Sequence, residues 1–208
     1  LGVPREASER LAEEMGIDRS RPLVVAGSTA PDEHGLLVEA LAPADAQLLC
    51  APRRPEWFDG AAESLGPRAV RRSRPAEGDV SSGRFVLDTI GELRAAYALA
   101  DVVVVGRSFG DLAGSDPMEP AALGRPVLIG PAYADFRESV EALRDAGGLR
   151  VVTRGELAGE LQRLLDDDAS RAAMGEASAR CVREKSGATE RHAEMIERYL
   201  SAGVSPDA

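Results

Sequence analysis

Residues 101 to 120 read DVVVVGRSFGDLAGSDPMEP, and this stretch decides the fold. After Asp101 come four valines in a row. An unbroken β-branched run suits a strand buried on both faces, which is what the middle of a parallel sheet provides. Gly106 to Pro120 then supplies three glycines, two prolines and several acidic or hydroxyl side chains. A polar loop of this kind beyond a central strand is where ligand contacts gather.

Working outward, the same unit recurs. Leu23 to Gly27 (LVVAG) is a short apolar run ending in Gly-Ser-Thr, with a helical pattern from Asp32 to Leu41 behind it. Gln47 to Ala51 precedes a Pro-rich turn and a helix over Glu56 to Leu65; Arg84 to Leu87 precedes a helix over Gly91 to Leu99. Pro126 to Ile129 and Leu149 to Val152 are further strand candidates. Six strands alternating with helices predict an α/β, Rossmann-like three-layer domain with a parallel sheet. From Arg154 to Leu200 the pattern is helical throughout, with Leu157, Leu161, Leu164 and Leu165 on one face, followed by Met174, Val182, Met195 and Tyr199. Glu77 to Gly83 reads as a mobile surface loop and 201–208 as a disordered tail. Pro4 to Met15 is a separate helical pattern, so residues 1–20 are expected to link this domain, 21–200, to another. A first residue Leu1 in place of Met fits a longer polypeptide.

Bulk properties narrow the function. The chain has 208 residues, 44% hydrophobic and 29% charged, with no apolar run long enough to span a bilayer. A net charge of -10 argues against nucleic acid as a partner. Cys50 and Cys181 form neither a disulfide framework nor a zinc spacing, which fits a reducing, cytoplasmic compartment, and no secretory leader opens the chain. There is no P-loop and no GxGxxG fingerprint. His34 and His192 are isolated and are expected at the surface. No metal or cofactor is expected.

In an open parallel sheet ligands bind beyond the carboxyl ends of the strands. Five loops there carry candidates. Ser28 and Thr29 either cap the next helix or meet an anion at its N-terminus. Arg53, held between Pro52 and Arg54-Pro55, can pair with phosphate through its planar fork, whereas Arg54 reads as solvated. Thr89 and Glu92 have the spacing of a capping box, which explains them without a ligand. In the long loop, Glu119 stands near a helix start, where a carboxylate either caps the helix or holds a ribose diol. The fifth loop, Gly130-Pro131 before Asp135, Phe136 and Arg137, borders a possible sugar site.

In register, these elements resemble the C-terminal domain of the 3-deoxy-D-manno-octulosonic acid (Kdo) transferases, which have the two-domain GT-B architecture. The match runs from about Arg21 to Tyr199. It comprises Gly27-Ser28-Thr29, Pro-Arg-x-Pro-Glu-x-Phe at Pro52 to Phe58, Arg-Arg-Ser at Arg71 to Ser73, Asp-Thr-x-Gly-Glu-Leu at Asp88 to Leu93, and Tyr-x-x-Ala-Asp-Val at Tyr97 to Val102. The long loop aligns without a gap to Gly-Gly-Ser through His-Asn-Pro-Leu-Glu-Pro. Ser108, Pro117, Glu119 and Pro120 are kept, while Arg107, Ser115, Asp116 and Met118 replace the family's Gly, His, Asn and Leu.

The resemblance implies a domain that binds CMP-Kdo. Ser28, Thr29 and Arg53 would face the phosphate, Thr89, Gly91 and Glu92 the base, and Ser108, Ser115, Asp116 and Glu119 the ribose and phosphate. The carboxylate of Asp116 beside a phosphate would weaken binding unless Arg107 compensates its charge. The reaction implied is metal-independent transfer of Kdo to a lipid A precursor in lipopolysaccharide biosynthesis, at the inner face of the inner membrane. The general base and the acceptor site would belong to an N-terminal domain, leaving this chain inactive alone. The competing readings are a GT-B half using another nucleotide sugar, such as a UDP-sugar, and a non-catalytic nucleotide-binding domain.

Overall fold

The computed structural model describes the backbone of residues 5–202 and the side chains of 5–186. Seven strands form one sheet: β1 (Leu23–Thr29), β2 (Gln47–Pro52), β3 (Val70–Arg71), β4 (Arg84–Val86), β5 (Val102–Val105), β6 (Val127–Ile129) and β7 (Leu149–Val151). Their order is β3-β4-β2-β1-β5-β6-β7, and every pairing is parallel. The valine run is β5, beside β1 in the centre, with all four residues at most 1% exposed.

Strand alternation sends side chains to two cores. Val103 and Val105 face one side, with helices α1 (Arg5–Met15), α4 (Leu93–Leu99) and α6 (Arg137–Asp145) and with Ala121 of α5 (Met118–Ala122). Val102 and Val104 face the other, with α2 (Pro31–Leu41), α3 (Phe58–Leu65) and α7 (Leu157–Asp166). The last helix, α8 (Asp168–Ala202), runs past the sheet edge, giving Met174 to one core and Cys181 to the other.

Several expectations are corrected. A seventh strand, β3, was invisible as a pattern. The helices expected to begin at Glu56 and Gly91 start at Phe58 and Leu93, the former after a 3-10 turn at Pro55–Trp57. Glu77 to Gly83 is no loose loop: 3-10 turns at Pro75–Glu77 and Val80–Ser82 order it, and Asp79 accepts the Ser81 N–H at 2.9 Å. Ser201 and Ala202 close α8, while the remainder of the expected tail, 203–208, lies outside the described residues, as do the side chains of His192, Met195 and Tyr199. The opening helix α1 packs Leu11 and Met15, each 1% exposed, against the body of the domain.

The connectivity places the site. From β1 the chain turns onto one face as α2; from β5 it turns onto the other as α5. A crevice must open where neighbouring strands diverge to opposite faces, and here that is the carboxyl end of the β1–β5 pair.

Candidate functional site

Two residues at this crevice hold backbone conformations that L side chains disfavour. Ser28, at a register shift in β1, has φ 56°, and Arg107, just past β5, has φ 58°. The strand exits approach so closely between them that a β-carbon on Gly106 would lie 2.5 Å from the Thr29 Cα. What holds this arrangement is Glu33 in the first turn of α2, 1% exposed. Its carboxylate accepts the backbone N–H groups of Ala30 (2.8 Å), Arg107 (2.8 Å), Ser108 (2.9 Å) and Phe109 (3.1 Å). One buried anion thus ties the α2 start to the turn that begins the long loop. Sequence reading missed it because Ala30 stands where a capping box shows Ser or Thr, so the Glu three residues on carried no signal.

Thr29 and Ser108 are placed otherwise than expected. Thr29 is fully buried, and its hydroxyl lies 3.0 Å from His34 Nε2 and 3.2 Å from Cys50 Sγ. His34 is therefore no surface histidine: it is 1% exposed, and burial lowers its pKa against the opposing charge of Asp32. Burial likewise pushes the Cys50 thiol up to about 12. Ser108 is also fully buried; its Oγ donates to the Val105 carbonyl (2.7 Å) and accepts the Gly130 N–H (2.8 Å), clasping the ends of β5 and β6. Both hydroxyls are engaged by groups of the protein itself.

Ser28 and Arg53 remain at the surface of the crevice. The Arg53 N–H donates to the Thr29 carbonyl at 3.0 Å, which sets Arg53 beside the β1 exit, and its exposed guanidinium has no carboxylate partner among the described residues. Arg54, by contrast, stacks over Trp57 at 5.1 Å and pairs with Glu56.

Beyond β4 the Arg-Arg-Ser and Asp-Thr-x-Gly-Glu-Leu segments prove to be one unit. Asp88 accepts from Arg71 Nε (2.8 Å) and from the Ser73 N–H (2.8 Å) and hydroxyl (2.6 Å). Burial raises the Asp88 pKa, but these bonds outweigh it and hold the carboxyl below its ordinary value. Glu92 takes a forked bond from Arg72 (3.0 to 3.1 Å) and the Thr89 hydroxyl, and by the same balance its pKa is lowered. Thr89 and Glu92 form no capping box, since Glu92 itself is the N-cap of α4 and Thr89 bonds its carboxylate directly. Their turn projects Ile90, 78% exposed, beside Gly91 at φ 94°.

The long loop completes the rim. Asp116 Oδ1 accepts the N–H of Met118, the first residue of α5, at 2.9 Å from the position before the N-cap Pro117. Glu119 is exposed and unpaired among the described residues. Ser115 Oγ is buried without a hydrogen-bond partner. Arg107 does not reach Asp116; its Nη2 bonds the Leu112 carbonyl at 3.1 Å. Next to this rim an open hollow of about 390 Å³ is lined by Gly110, Asp111, Pro131, Tyr133 and Arg137 among others, beyond β5 and β6. A larger hollow, about 760 Å³, flanks the edge strand β7 along its length and holds the Arg150–Glu160 ion pair; it shares no lining residue with the groups above. Among the described residues no cluster of three His, Cys, Asp or Glu is placed to hold a metal ion, and no helix is long and apolar enough to cross a membrane.

No family model matches the chain. It is 32% identical over a 209-residue alignment to the 3-deoxy-D-manno-octulosonic acid transferase of Bordetella pertussis, an alignment covering 94% of this chain and 49% of that relative. The transferase of the same description from Haemophilus influenzae is 29% identical, over 89% of this chain and 46% of its own. In structure the chain is similar to the C-terminal CMP-Kdo binding domain of WaaA from Acinetobacter baumannii, with a TM-score of 0.76 and 23% identity, covering 86% of this chain and 97% of that one. The chain is thus similar in sequence to about half of each of these transferases and in fold to that C-terminal domain. It spans about half the length of the curated relatives it matches. Its sheet is that of one half of a GT-B glycosyltransferase.

Proposed function

We propose that this domain binds CMP-Kdo and serves as the donor half of an enzyme that transfers Kdo to a lipid A precursor during lipopolysaccharide synthesis. The observation that supports this reading is a chain 32% identical to a Kdo transferase that carries, on loops beyond the carboxyl ends of its strands, an exposed guanidinium, Arg53, and an exposed carboxylate, Glu119, neither with a charged partner among the described residues. Arg53 and the Ser28 region take the phosphate, Glu119 the ribose hydroxyls, and the Thr89–Gly91 turn the base. Glu92 acts by shaping that turn, because its carboxylate is already occupied by Arg72. Ser115 and Asp116 line the ribose and phosphate side.

In transfer, an acceptor hydroxyl attacks the anomeric carbon, the bond from that carbon to the CMP phosphate oxygen breaks, and the hydroxyl proton passes to a base on the half this chain does not cover. Arg53 stabilises the charge that grows on the departing phosphate. The domain works at the cytoplasmic face of the inner membrane, through contacts made by the whole enzyme, and α1 leads in from the acceptor half. Calorimetric titration with CMP and UMP tests the reading. CMP should bind, UMP should bind at least tenfold more weakly, and Glu119→Gln should weaken CMP by about ten- to a hundredfold, from the loss of hydrogen bonds to a charged acceptor. Binding of neither nucleotide, or preference for UMP, removes the donor assignment.

A further inference from the structure

Tyr97 carries no role in the reading above, yet its environment is unusual. It is 2% exposed on α4, which packs against both β1 and α5. Its hydroxyl has no hydrogen-bond partner among the described residues, although buried phenols nearly always find one. The hydroxyl lies directly against the β1 exit: a β-carbon on Gly27 would stand 2.0 Å from its oxygen. Glycine at 27 is therefore what lets the phenol reach the backbone one residue before left-handed Ser28. On the α5 side the charges of Glu119 and Asp116 act on the phenol, adding to burial in raising its pKa, so the group stays a protonated donor. Ser115, next to Asp116, presents a fully buried hydroxyl without a partner.

We propose that the Tyr97 hydroxyl is a ligand contact, donating a hydrogen bond through the notch at Gly27 to an oxygen of the ribose–phosphate of the bound nucleotide. The inference rests on the donor reading above. A phenol there supplies a neutral donor between the anion-binding side, Ser28 and Arg53, and the carboxylate side, Asp116 and Glu119. It needs no rearrangement of the protein, because no internal bond has to break first.

Tyr97→Phe keeps the ring and removes the donor. Titration of both proteins with CMP, beside their urea midpoints, decides the matter. The expected result is a three- to tenfold loss of CMP affinity, the size of one neutral hydrogen bond, with an unchanged midpoint because the hydroxyl makes no bond within the described residues. The same loss with cytidine places the contact on the ribose; loss with CMP alone places it on the phosphate. Unchanged CMP affinity in the variant, or a variant that fails to fold, overturns the proposal and makes the phenol a structural group. Wild-type protein that binds neither CMP nor UMP overturns the donor reading, and this inference with it.

Discussion

Glu33→Gln tests the loop-organising carboxylate most directly. The two carboxylate oxygens share the load: Oε2 serves Ala30 and Arg107, Oε1 serves Ser108 and Phe109. A glutamine can put its carbonyl in only one of those places. Its amide nitrogen then faces two N–H donors, leaving a pair of buried amides unpaired. Each lost bond to a charged acceptor is worth about 1.5 to 3 kcal/mol, and each orphaned amide costs about 1 to 3 kcal/mol. Against this, the variant no longer buries a charge, which returns several kcal/mol of desolvation. The balance is a net loss of about 2 to 4 kcal/mol, a large share of the roughly 5 to 15 kcal/mol available to a domain. For a chain of this size that lowers the thermal midpoint by about 5 to 15 °C. Urea and thermal unfolding measure it, with Asp32→Asn as the control: Asp32 lies one residue away, exposed, with only a 3.5 Å contact to Arg154, so its loss should cost under about 1 kcal/mol. A Glu33→Gln loss no larger than that of the control would refute the carboxylate as the organiser of the β1–β5 exit.

Arg107 holds a left-handed backbone at φ 58°, so Arg107→Gly should be more stable than Arg107→Ala by about 0.5 to 1 kcal/mol, the relief of strain less the entropy gained by the unfolded glycine chain; equal urea midpoints would contradict this. His34 is buried with its pKa lowered, so the unfolded state takes up its proton first on acidification. Stability should be level above the ordinary value near 6.5 and fall below it, with a slope of at most about 1.4 kcal/mol per pH unit. His34→Gln should flatten the urea midpoint between pH 7 and 5.5, and an unchanged slope would assign the proton uptake elsewhere.

The fold was readable because its signal is local. Four valines in succession, and runs such as LVVAG and PVLI, declare buried parallel strands without reference to anything distant. Strand β3 was not readable, since two residues set among arginines make no period; it is set by its ladder with β4, Val70 beside Phe85 and Arg71 beside Val86, with the Arg71 side chain bonded to Asp88, which lies 17 residues on. The site divides in the same way. Loop positions follow from topology, so the crevice and its rim could be foreseen. The use of each hydroxyl could not. Thr29 and Ser108 look like Ser28 in sequence, but His34, Cys50 and the Gly130 amide claim them through contacts that only the folded chain brings together. A lone histidine reads as solvent-facing until its partner is known.

The long loop shows how far a binding rim can change its charge without changing its shape. The bond to the first N–H of α5 requires only a short side-chain acceptor at 116, and Asp supplies it as well as Asn, so a carboxylate there costs the fold little. Glu119 makes no capping bond to α5 either: the Met118 N–H is taken by Asp116, and the exposed Glu119 carboxylate has no partner among the described residues. The added negative charge at 116 is not cancelled within the loop, because Arg107 spends its guanidinium on the Leu112 carbonyl. On the donor reading proposed above, Arg53, whose N–H bonds the Thr29 carbonyl at the β1 exit, is the cation expected to supply that compensation. On that reading the demand on Arg53 is greater here than in a loop bearing Asn at that position, since it would have to offset a fixed carboxylate as well as attract the phosphate of the proposed ligand.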